Sequence, residues 1–230
     1  MRRFPPGAAL SALLLLAAPA QGTVEFEGLS RTTERVVRAT VALGSEPCEA
    51  PDARVRRLYR RADRQIREAL EVYGYYAPVI DKSLERDDDC WRATFTIKRG
   101  PRVKLREVRL GVTGPGGADP GLTSTLTAAD DLVPGEALNQ RAYDQFKAEL
   151  AANAQRRGYF EGRFAASRID VYPGELAADI TVEYVSGERY RFGSVTFDQD
   201  VLRPELVRSY IDFEPGEPYD AERLNELYTD

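Results

Sequence analysis

The chain of 230 residues repeats itself, and this repetition constrains its fold more than any other feature. Glycine aligns with glycine, arginine with arginine and valine with valine at offsets of 81 to 87 residues. Self-similarity at a regular period marks a tandem array of one supersecondary unit. We predict three copies that begin near residues 24, 103 and 190, the third being cut short. The matching segments are 98–110 with 185–197, 73–76 with 157–160, and 134–139 with 215–220.

The first copy has the pattern of a strand followed by two helices. Residues 24–27 alternate apolar and acidic side chains, which predicts a half-buried strand. A first helix is predicted over 32–43, with Ser30 as its N-cap. A longer helix follows, and Gly74 is placed at its C′ position, where a positive φ is needed. Its apolar stripe comprises Val55, Leu58, Tyr59, Ala62, Ile66, Ala69, Leu70 and Tyr73.

Two further strands close each copy, at about 77–84 and 91–98 in the first and about 163–172 and 179–185 in the second. The second copy has its own helical stripe, with Asn139 as the predicted N-cap and Gly158 as the C′ residue. This stripe comprises Tyr143, Phe146, Leu150 and Ala154. The order of elements in one copy is therefore β-α-α-β-β.

Two helices with one apolar stripe each must bury those stripes against a sheet. We predict an α+β fold of tandem units, each a three-stranded sheet covered on one face by two helices. The predicted division is 1–20 as a signal peptide, 21–101 and 102–187 as complete units, and 188–230 as an incomplete third. Only Gly100-Pro101 and Gly187-Glu188 lie between units, so we expect a semi-rigid chain of domains.

The first 20 residues have the pattern of a Sec-type signal peptide, with basic residues, an apolar segment and Ala18-Pro19-Ala20 before the predicted cleavage site. The alternative, a buried N-terminal helix, is disfavoured by its prolines. Export leads to an oxidising compartment, which predicts a disulfide between Cys48 and Cys90. Two free, buried thiols are the alternative.

Composition excludes several classes of function. Histidine is absent, and two cysteines cannot form a four-cysteine zinc site. The net charge of −5 argues against a nucleic-acid partner. A glycine-rich segment at 111–117 lacks the Gly-Lys-Ser/Thr ending of a phosphate loop, and Asp87-Asp88-Asp89 lacks the spacing of a calcium loop. We interpret both as surface turns, and the scattered carboxylates, Asp144 and Glu149 among them, as solvated helix faces. We therefore predict no catalytic, cofactor or metal site.

A basic stripe lies on the second helix of the first copy. Its members are Arg56, Arg60, Arg64 and Arg67, which recur at steps of three and four. One interpretation is a solvated face with intrahelical partners such as Asp63 and Glu68. The other is a patch that faces anionic lipid headgroups or an acidic partner. Likewise, Tyr75 and Tyr76 are either a binding pair of aromatic residues or, as we favour, residues that lock the helix end onto the sheet.

The β-α-α-β-β unit resembles a POTRA domain, because its long helix ends in a Gly-Tyr-aromatic motif and begins after Pro-Gly-Glu. The motif residues are Gly74, Tyr75 and Tyr76 in the first copy and Gly158, Tyr159 and Phe160 in the second. Residues 138–147 and 186–197 resemble the TamA family more narrowly. That family has three POTRA units followed by an outer-membrane β-barrel. Since this sequence stops inside the second helix of the third unit, we expect it to be a fragment that precedes the barrel.

The resemblance implies a non-enzymatic protein at the periplasmic face of the outer membrane. Members of the family assist insertion of outer-membrane proteins, autotransporters among them, together with a TamB-like partner anchored in the inner membrane. Their POTRA domains can bind clients or partners by β-augmentation of the second strand. Here those edges are about 77–84 and 163–172, with Ala165, Ser167 and Ile169 as candidate docking residues. The alternative is a POTRA-type periplasmic adaptor of another envelope system, such as cell division or two-partner secretion.

Overall fold

The computed structural model describes residues 21–87, 90–199, 201 and 203–229. The predicted signal peptide, Asp88 and Asp89 lie outside these residues. Within the described part of the chain, no helix is long and apolar enough to cross a bilayer.

Unit one contains β1 (Thr23–Glu27), α1 (Arg31–Thr40), α2 (Asp52–Glu71), β2 (Val79–Arg86) and β3 (Trp91–Lys98). Its sheet has the order β1-β3-β2, with β1 parallel and β2 antiparallel to the central β3. The apolar side of β3 faces the two helices, and its alternating residues are the centre of the core. The largest buried side chains are Val37, Leu43, Val55, Ile66, Leu70, Trp91, Phe95 and Ile97.

Unit two repeats this architecture with β4 (Lys104–Thr113), α3 (Pro120–Thr127), α4 (Gln140–Arg156), β5 (Arg163–Tyr172) and β6 (Ala177–Val185). Its sheet has the order β4-β6-β5, again with the last strand in the centre. The predicted helical stripe of Tyr143, Phe146, Leu150 and Ala154 is buried in its core. The predicted fold class is therefore confirmed.

The predicted helix ends agree with the local geometry. Ser30 caps α1 through a capping box with Thr33, and Asn139 caps α4. Gly74 and Gly158 have φ values of 83° and 85°. Helix α1 ends at Thr40 rather than at residue 43, because a short 3₁₀ turn follows and places Leu43 in the core.

One predicted turn of unit two is partly wrong. The glycine-rich segment 111–117 was expected to be a surface turn, but residues 111–113 continue β4 and pair with β6. The chain leaves the sheet only at Gly114, which has a φ of 80°. Gly116 is buried, and its N–H donates a 2.9 Å hydrogen bond to Ser186 Oγ.

Residues after Ser186 contain α5 (Pro204–Arg208) and α6 (Ala221–Thr229). The predicted opening strand at 195–197 is wrong, because these described residues form no strand. In units one and two the opening strand pairs with the last strand of the same unit. No described residue of the third unit provides such a strand, so the segment has no neighbour to pair with.

The predicted disulfide between Cys48 and Cys90 is confirmed, with an S–S distance of 2.05 Å. It joins the loop between α1 and α2 to the residue before β3. Trp91 follows immediately in the core, where its Nε1 donates a 3.0 Å hydrogen bond to Pro47 O. The disulfide therefore fastens the helical layer of unit one to the central strand of its sheet.

Candidate docking edges

The outer edge of unit one is β2, which pairs with β3 over eight consecutive residues without a register shift. At the hairpin end, Asp87 N–H donates a 2.9 Å hydrogen bond to Cys90 O. Since the N–H groups of a strand alternate sides, this bond implies that the N–H groups of Ile80, Lys82 and Leu84 point away from β3. The edge therefore offers a regular row of backbone groups to another strand.

Helix α2 lies antiparallel beside this edge. At the start of β2, Arg67 Nη1 donates a 2.6 Å hydrogen bond to Pro78 O. At its end, Arg86 Nη1 lies 3.5 Å from Asp52 Oδ1. Between them, Lys82 Nζ lies 5.1 Å from the centre of the Tyr59 ring. The two elements thus run side by side along the whole strand.

A shallow groove opens between the two elements. It is lined by Arg56, Tyr59 and Arg60 of α2 and by Lys82, Ser83 and Leu84 of β2. Neither Tyr59 nor Lys82 was among the predicted site residues. The sequence pattern assigned Tyr59 to the apolar stripe of the helix, and it gave no signal for Lys82. The groove is lined by three cationic side chains. Lys82 lies 3.9 Å from Asp63, and Arg56 pairs with Asp52.

The predicted basic stripe lies on the flank of this groove. Three of its arginines pair within the helix, as the solvated interpretation expects, at distances of 2.7 Å (Arg56–Asp52), 3.5 Å (Arg64–Glu68) and 3.0 Å (Arg67–Asp63). The hydrogen bond from Arg56 holds the pKa of Asp52 below its ordinary value. Within the described chain, Arg60 makes no ion pair. The stripe is therefore solvated and at the same time adjacent to the edge.

The edge of unit two, β5, is interrupted. Its register against β6 shifts between Phe164 and Ala166, so Ala165 is an extra residue. Ser186 N–H donates a 3.0 Å hydrogen bond to Thr113 O of β4, so the alternate N–H groups of β6 face β5. By the same alternation, the N–H groups of Ser167 and Ile169 point outward, whereas those of Ala166 and Arg168 point into the sheet.

The predicted grouping of Ala165 with Ser167 and Ile169 by strict alternation is therefore wrong in geometry, because the bulge removes Ala165 from the regular pattern. The docking role of these residues stays a prediction. The outward row on β5 begins only after the bulge, and Val171 joins it.

The flank of β5 lacks the arginine stripe. With the two Gly-Tyr motifs aligned at an offset of 84, the four arginines of the stripe correspond to Gln140, Asp144, Ala148 and Ala151 on α4. Lys147 lies 5.0 Å from the ring centre of Tyr143 and 5.2 Å from that of Phe164. The two edges share a fold but differ in regularity and in charge.

The Gly-Tyr-aromatic motifs build the joints between units. Tyr75 packs on the core of unit one, as predicted, but Tyr76 packs against the core of unit two, and Gln140 Nε2 donates to its hydroxyl over 3.2 Å. Gly74 O accepts a 2.9 Å hydrogen bond from Val103 N–H. The interpretation that both tyrosines lock the helix end onto their own sheet is thus correct for Tyr75 and wrong for Tyr76.

One arginine closes each joint. Arg102 donates to Tyr73 O over 2.8 Å and to Leu138 O over 3.2 Å, so it bridges the end of α2 and the loop before α4. Arg189 repeats this scheme with Arg157 O at 2.7 Å and Tyr219 O at 3.0 Å. The arginine-to-arginine match in the repeat alignment was the signal of this role.

The second joint is also aromatic. The Phe160 ring lies edge-on to Tyr190 and Tyr219, with centroid distances of 5.3 and 5.0 Å. Gly158 O accepts a 2.8 Å hydrogen bond from Tyr190 N–H, as Gly74 O does from Val103. Phe160, like Tyr76, therefore contacts the following unit.

A buried carboxylate, which the sequence did not indicate, reinforces the second joint. Asp119 is 7% exposed and accepts hydrogen bonds from Arg157 at 2.6 and 2.9 Å and from Tyr159 at 3.1 Å. Arg189 Nη1 approaches the same carboxylate at 3.4 Å. Burial would raise the pKa of Asp119, but the hydrogen bonds from Arg157, Gly121 N–H and Tyr159 outweigh it and lower the pKa.

Residues 23–99 match a family model described as POTRA domain 1 of TamA. Among solved structures, BamA POTRA3–5 from Haemophilus influenzae is 17% identical, with a TM-score of 0.47, and the match covers 91% of this chain and 83% of that one. POTRA1–3 of the periplasmic domain of Omp85 from Anabaena is 16% identical, with a TM-score of 0.37, covering 90% and 83%. Unit one is therefore similar in sequence to the first POTRA domain of TamA, and unit two repeats the topology of unit one.

Proposed function

We propose that this chain is the periplasmic POTRA region of an outer-membrane assembly factor of the TamA type. In this role it binds extended segments of unfolded outer-membrane proteins, such as autotransporters, or of a TamB-like partner anchored in the inner membrane. Binding occurs by addition of a strand to β2 or β5, without chemistry at any residue. The match of residues 23–99 to the first POTRA domain of TamA supports this assignment.

The observation that carries the mechanism is the position of β2 and β5 at the outer edges of their sheets. Each leaves alternate backbone N–H and C=O groups without a neighbouring strand in the sheet. Main-chain hydrogen bonds give affinity with little dependence on sequence, which suits a protein that handles many clients. The joint at Arg102 connects the two units that carry these edges, through hydrogen bonds to Tyr73 O and Leu138 O.

Proline substitution tests the edge directly, because proline lacks the N–H group. Ser167 and Arg168 are adjacent, exposed residues of β5 whose N–H groups point outward and inward, respectively. Ser167→Pro should leave the melting temperature near that of the parent but weaken capture of a urea-unfolded outer-membrane protein at least tenfold. Arg168→Pro should lower the melting temperature, because its N–H pairs within the sheet.

The same pair of variants exists in unit one, where Lys82→Pro is the outward change and Ser83→Pro the inward one. Lys82→Arg controls for any contribution of the lysine charge. If the folded Ser167→Pro and Lys82→Pro variants, alone and combined, capture the client as the parent does, strand addition at these edges is excluded.

A further inference from the structure

We infer that the edge of unit one selects extended protein segments that carry carboxylates at alternate residues, whereas the edge of unit two lacks this selection. This inference rests on the proposed function, since it names the kind of strand that one edge receives. It combines three observations: the regular edge of β2, the basic stripe that runs beside it on α2, and the groove between them, which Arg56 and Arg60 of the stripe help to line.

The first step is a match of spacing. Residues four apart on a helix rise by about 6 Å, and residues two apart on a strand advance by about 6.7 Å. Arg56 and Arg60, the two stripe arginines that line the groove, therefore step along α2 at nearly the interval of the side chains that share one face of a strand. Since α2 and β2 run side by side from Arg67–Pro78 to Asp52–Arg86, these two arginines lie beside the edge at which a strand would add.

The second step is the sign of the charge. Helix α2 carries seven arginines and four carboxylates, although the whole chain has a net charge of −5. Arg60 lies at the groove without an ion pair among the described residues. Arg56 and Lys82 also line the groove, but they lie within ion-pair distance of Asp52 and Asp63, respectively. A guanidinium binds a carboxylate through two parallel hydrogen bonds, so an acidic segment gains contacts that a neutral one lacks. A basic segment would be repelled.

The third step decides between a protein strand and a lipid surface as the occupant of this edge. The cations lie along a row of outward backbone N–H groups, at Ile80, Lys82 and Leu84, whose spacing matches the carbonyl groups of another extended backbone. A lipid headgroup has no regular spacing and would leave this row unpaired. An extended acidic segment satisfies the backbone and the arginines at the same time, so it is the occupant that fits.

The edge of unit two provides the contrast. Where unit one has Arg56 and Arg60, unit two has Gln140 and Asp144, and its edge carries a bulge at Ala165. An acidic segment would find Lys147 there but no pair of arginines, and an interrupted row of N–H groups. The two edges therefore differ in the strands that they favour, although both belong to the same fold.

The test uses residues 21–230 and labelled ten-residue peptides that alternate Glu with Thr or Gln with Thr. We expect the Glu–Thr peptide to bind at least tenfold more tightly by fluorescence anisotropy, with an advantage that shrinks as salt is raised. Arg56→Glu with Arg60→Glu, the two arginines that line the groove, should remove this advantage. Arg57→Glu with Arg61→Glu, two exposed positions on another face of α2, changes the net charge equally and should retain most of it.

Equal affinity for the two peptides, or equal loss in both pairs of variants, would overturn the inference. Binding to vesicles of anionic lipid that depends on Arg56 and Arg60, without preference for the Glu–Thr peptide, would overturn it in favour of a membrane surface. Peptides N-methylated at every Glu or at every Thr test the proposed function separately. If both methylated forms bind like the parent peptide, strand addition fails while the charge selection stands.

Discussion

The two complete units have the same topology but are fastened in different ways. Unit one ties its helical layer to the central strand with the Cys48–Cys90 disulfide. Unit two has no cysteine and instead buries Asp119 between Arg157, Tyr159 and Arg189. The apolar pattern and the joint hydrogen bonds are shared, so they specify the fold. The disulfide and the buried carboxylate differ between the units. Unit one is therefore sensitive to reduction, whereas unit two is sensitive to acid.

The largest effect is expected from the disulfide. Cys48→Ser with Cys90→Ser opens a loop with a sequence separation of 42 residues, which costs unit one about 4 kcal/mol in the chain-entropy model. Trp91 is the single tryptophan of the chain and is buried in unit one, so its fluorescence during urea unfolding reports this unit alone. Hydrogen exchange of β6 amides is the control for unit two. An unchanged urea midpoint at Trp91 would contradict the prediction.

The next largest effect is expected at Asp119. Asp119→Ala leaves two arginines and Tyr159 without their shared acceptor, and unit two should lose about 3 kcal/mol, the lower end for breaking a buried pair. The lower end applies because the Arg157 and Arg189 side chains are 26% and 25% exposed. Exchange rates of β6 amides should rise while the Trp91 transition stays in place. A shift of both units together would show that the carboxylate fastens the whole chain.

The same carboxylate predicts a pH dependence. Because the pKa of Asp119 is lower in the folded protein than in the unfolded chain, its contribution to stability is complete above the unfolded pKa of about 3.9. It is lost as the pH falls through the folded value. The stability of unit two, followed at β6 amides, should therefore decline below about pH 4 in the parent and less in Asp119→Asn. Parallel declines in both proteins would exclude Asp119 as the group responsible.

These contrasts separate what the sequence could predict from what it could not. Apolar spacing on α2 and α4 and the helix-end glycines Gly74 and Gly158 are local signals, and the elements they predicted are present. The role of Asp119 depends on four groups separated by up to 70 residues, and no local pattern connects them. The bulge at Ala165 is likewise invisible, because an inserted residue leaves the strand composition unchanged.

The candidate edges show the same division. The strand 163–172 and the arginine stripe were both predictable from periodicity, but their relation was not. Only the antiparallel packing of α2 beside β2 shows that Arg56 and Arg60 share a groove with Lys82. The opening strand of the third unit was predicted and does not form, because a strand requires a neighbour as well as a suitable sequence.

A smaller loss of stability is expected when alanine replaces the glycines at the joints, and it should exceed the loss at a glycine in an ordinary turn. A Cβ at Gly158 would lie 2.8 Å from Tyr219 Cβ, and one at Gly74 would lie 2.8 Å from Leu138 O. Gly135 has a similar φ, 95°, but nothing within 4 Å. Gly158→Ala and Gly74→Ala should therefore cost about 2 kcal/mol more than Gly135→Ala, which carries only the backbone strain. If all three variants lose the same amount of stability in a thermal melt, the joints accommodate the added methyl group without a steric penalty.

The smallest effect is expected at the joint arginines. Lysine cannot donate to two carbonyls as a guanidinium does, so Arg102→Lys should weaken the first joint by about 1 kcal/mol. That corresponds to about fivefold faster exchange of the Val103 and Gln140 amides, which donate across this joint to Gly74 O and Val72 O. The Tyr190 amide donates across the second joint to Gly158 O, and its exchange should not change.

Arg189→Lys should give the converse pattern, with one difference that follows from Asp119. Because Arg189 also lies 3.4 Å from that carboxylate, its loss should loosen the Tyr159 end of unit two as well as the joint. Arg102 has no such carboxylate and instead lies 5.6 Å from the centre of the Tyr75 ring. If exchange at β6 accelerates in Arg189→Lys while exchange at β3 is unchanged in Arg102→Lys, the second joint is coupled to its unit through charge. Equal, purely local effects would mean that the two joints are mechanically the same.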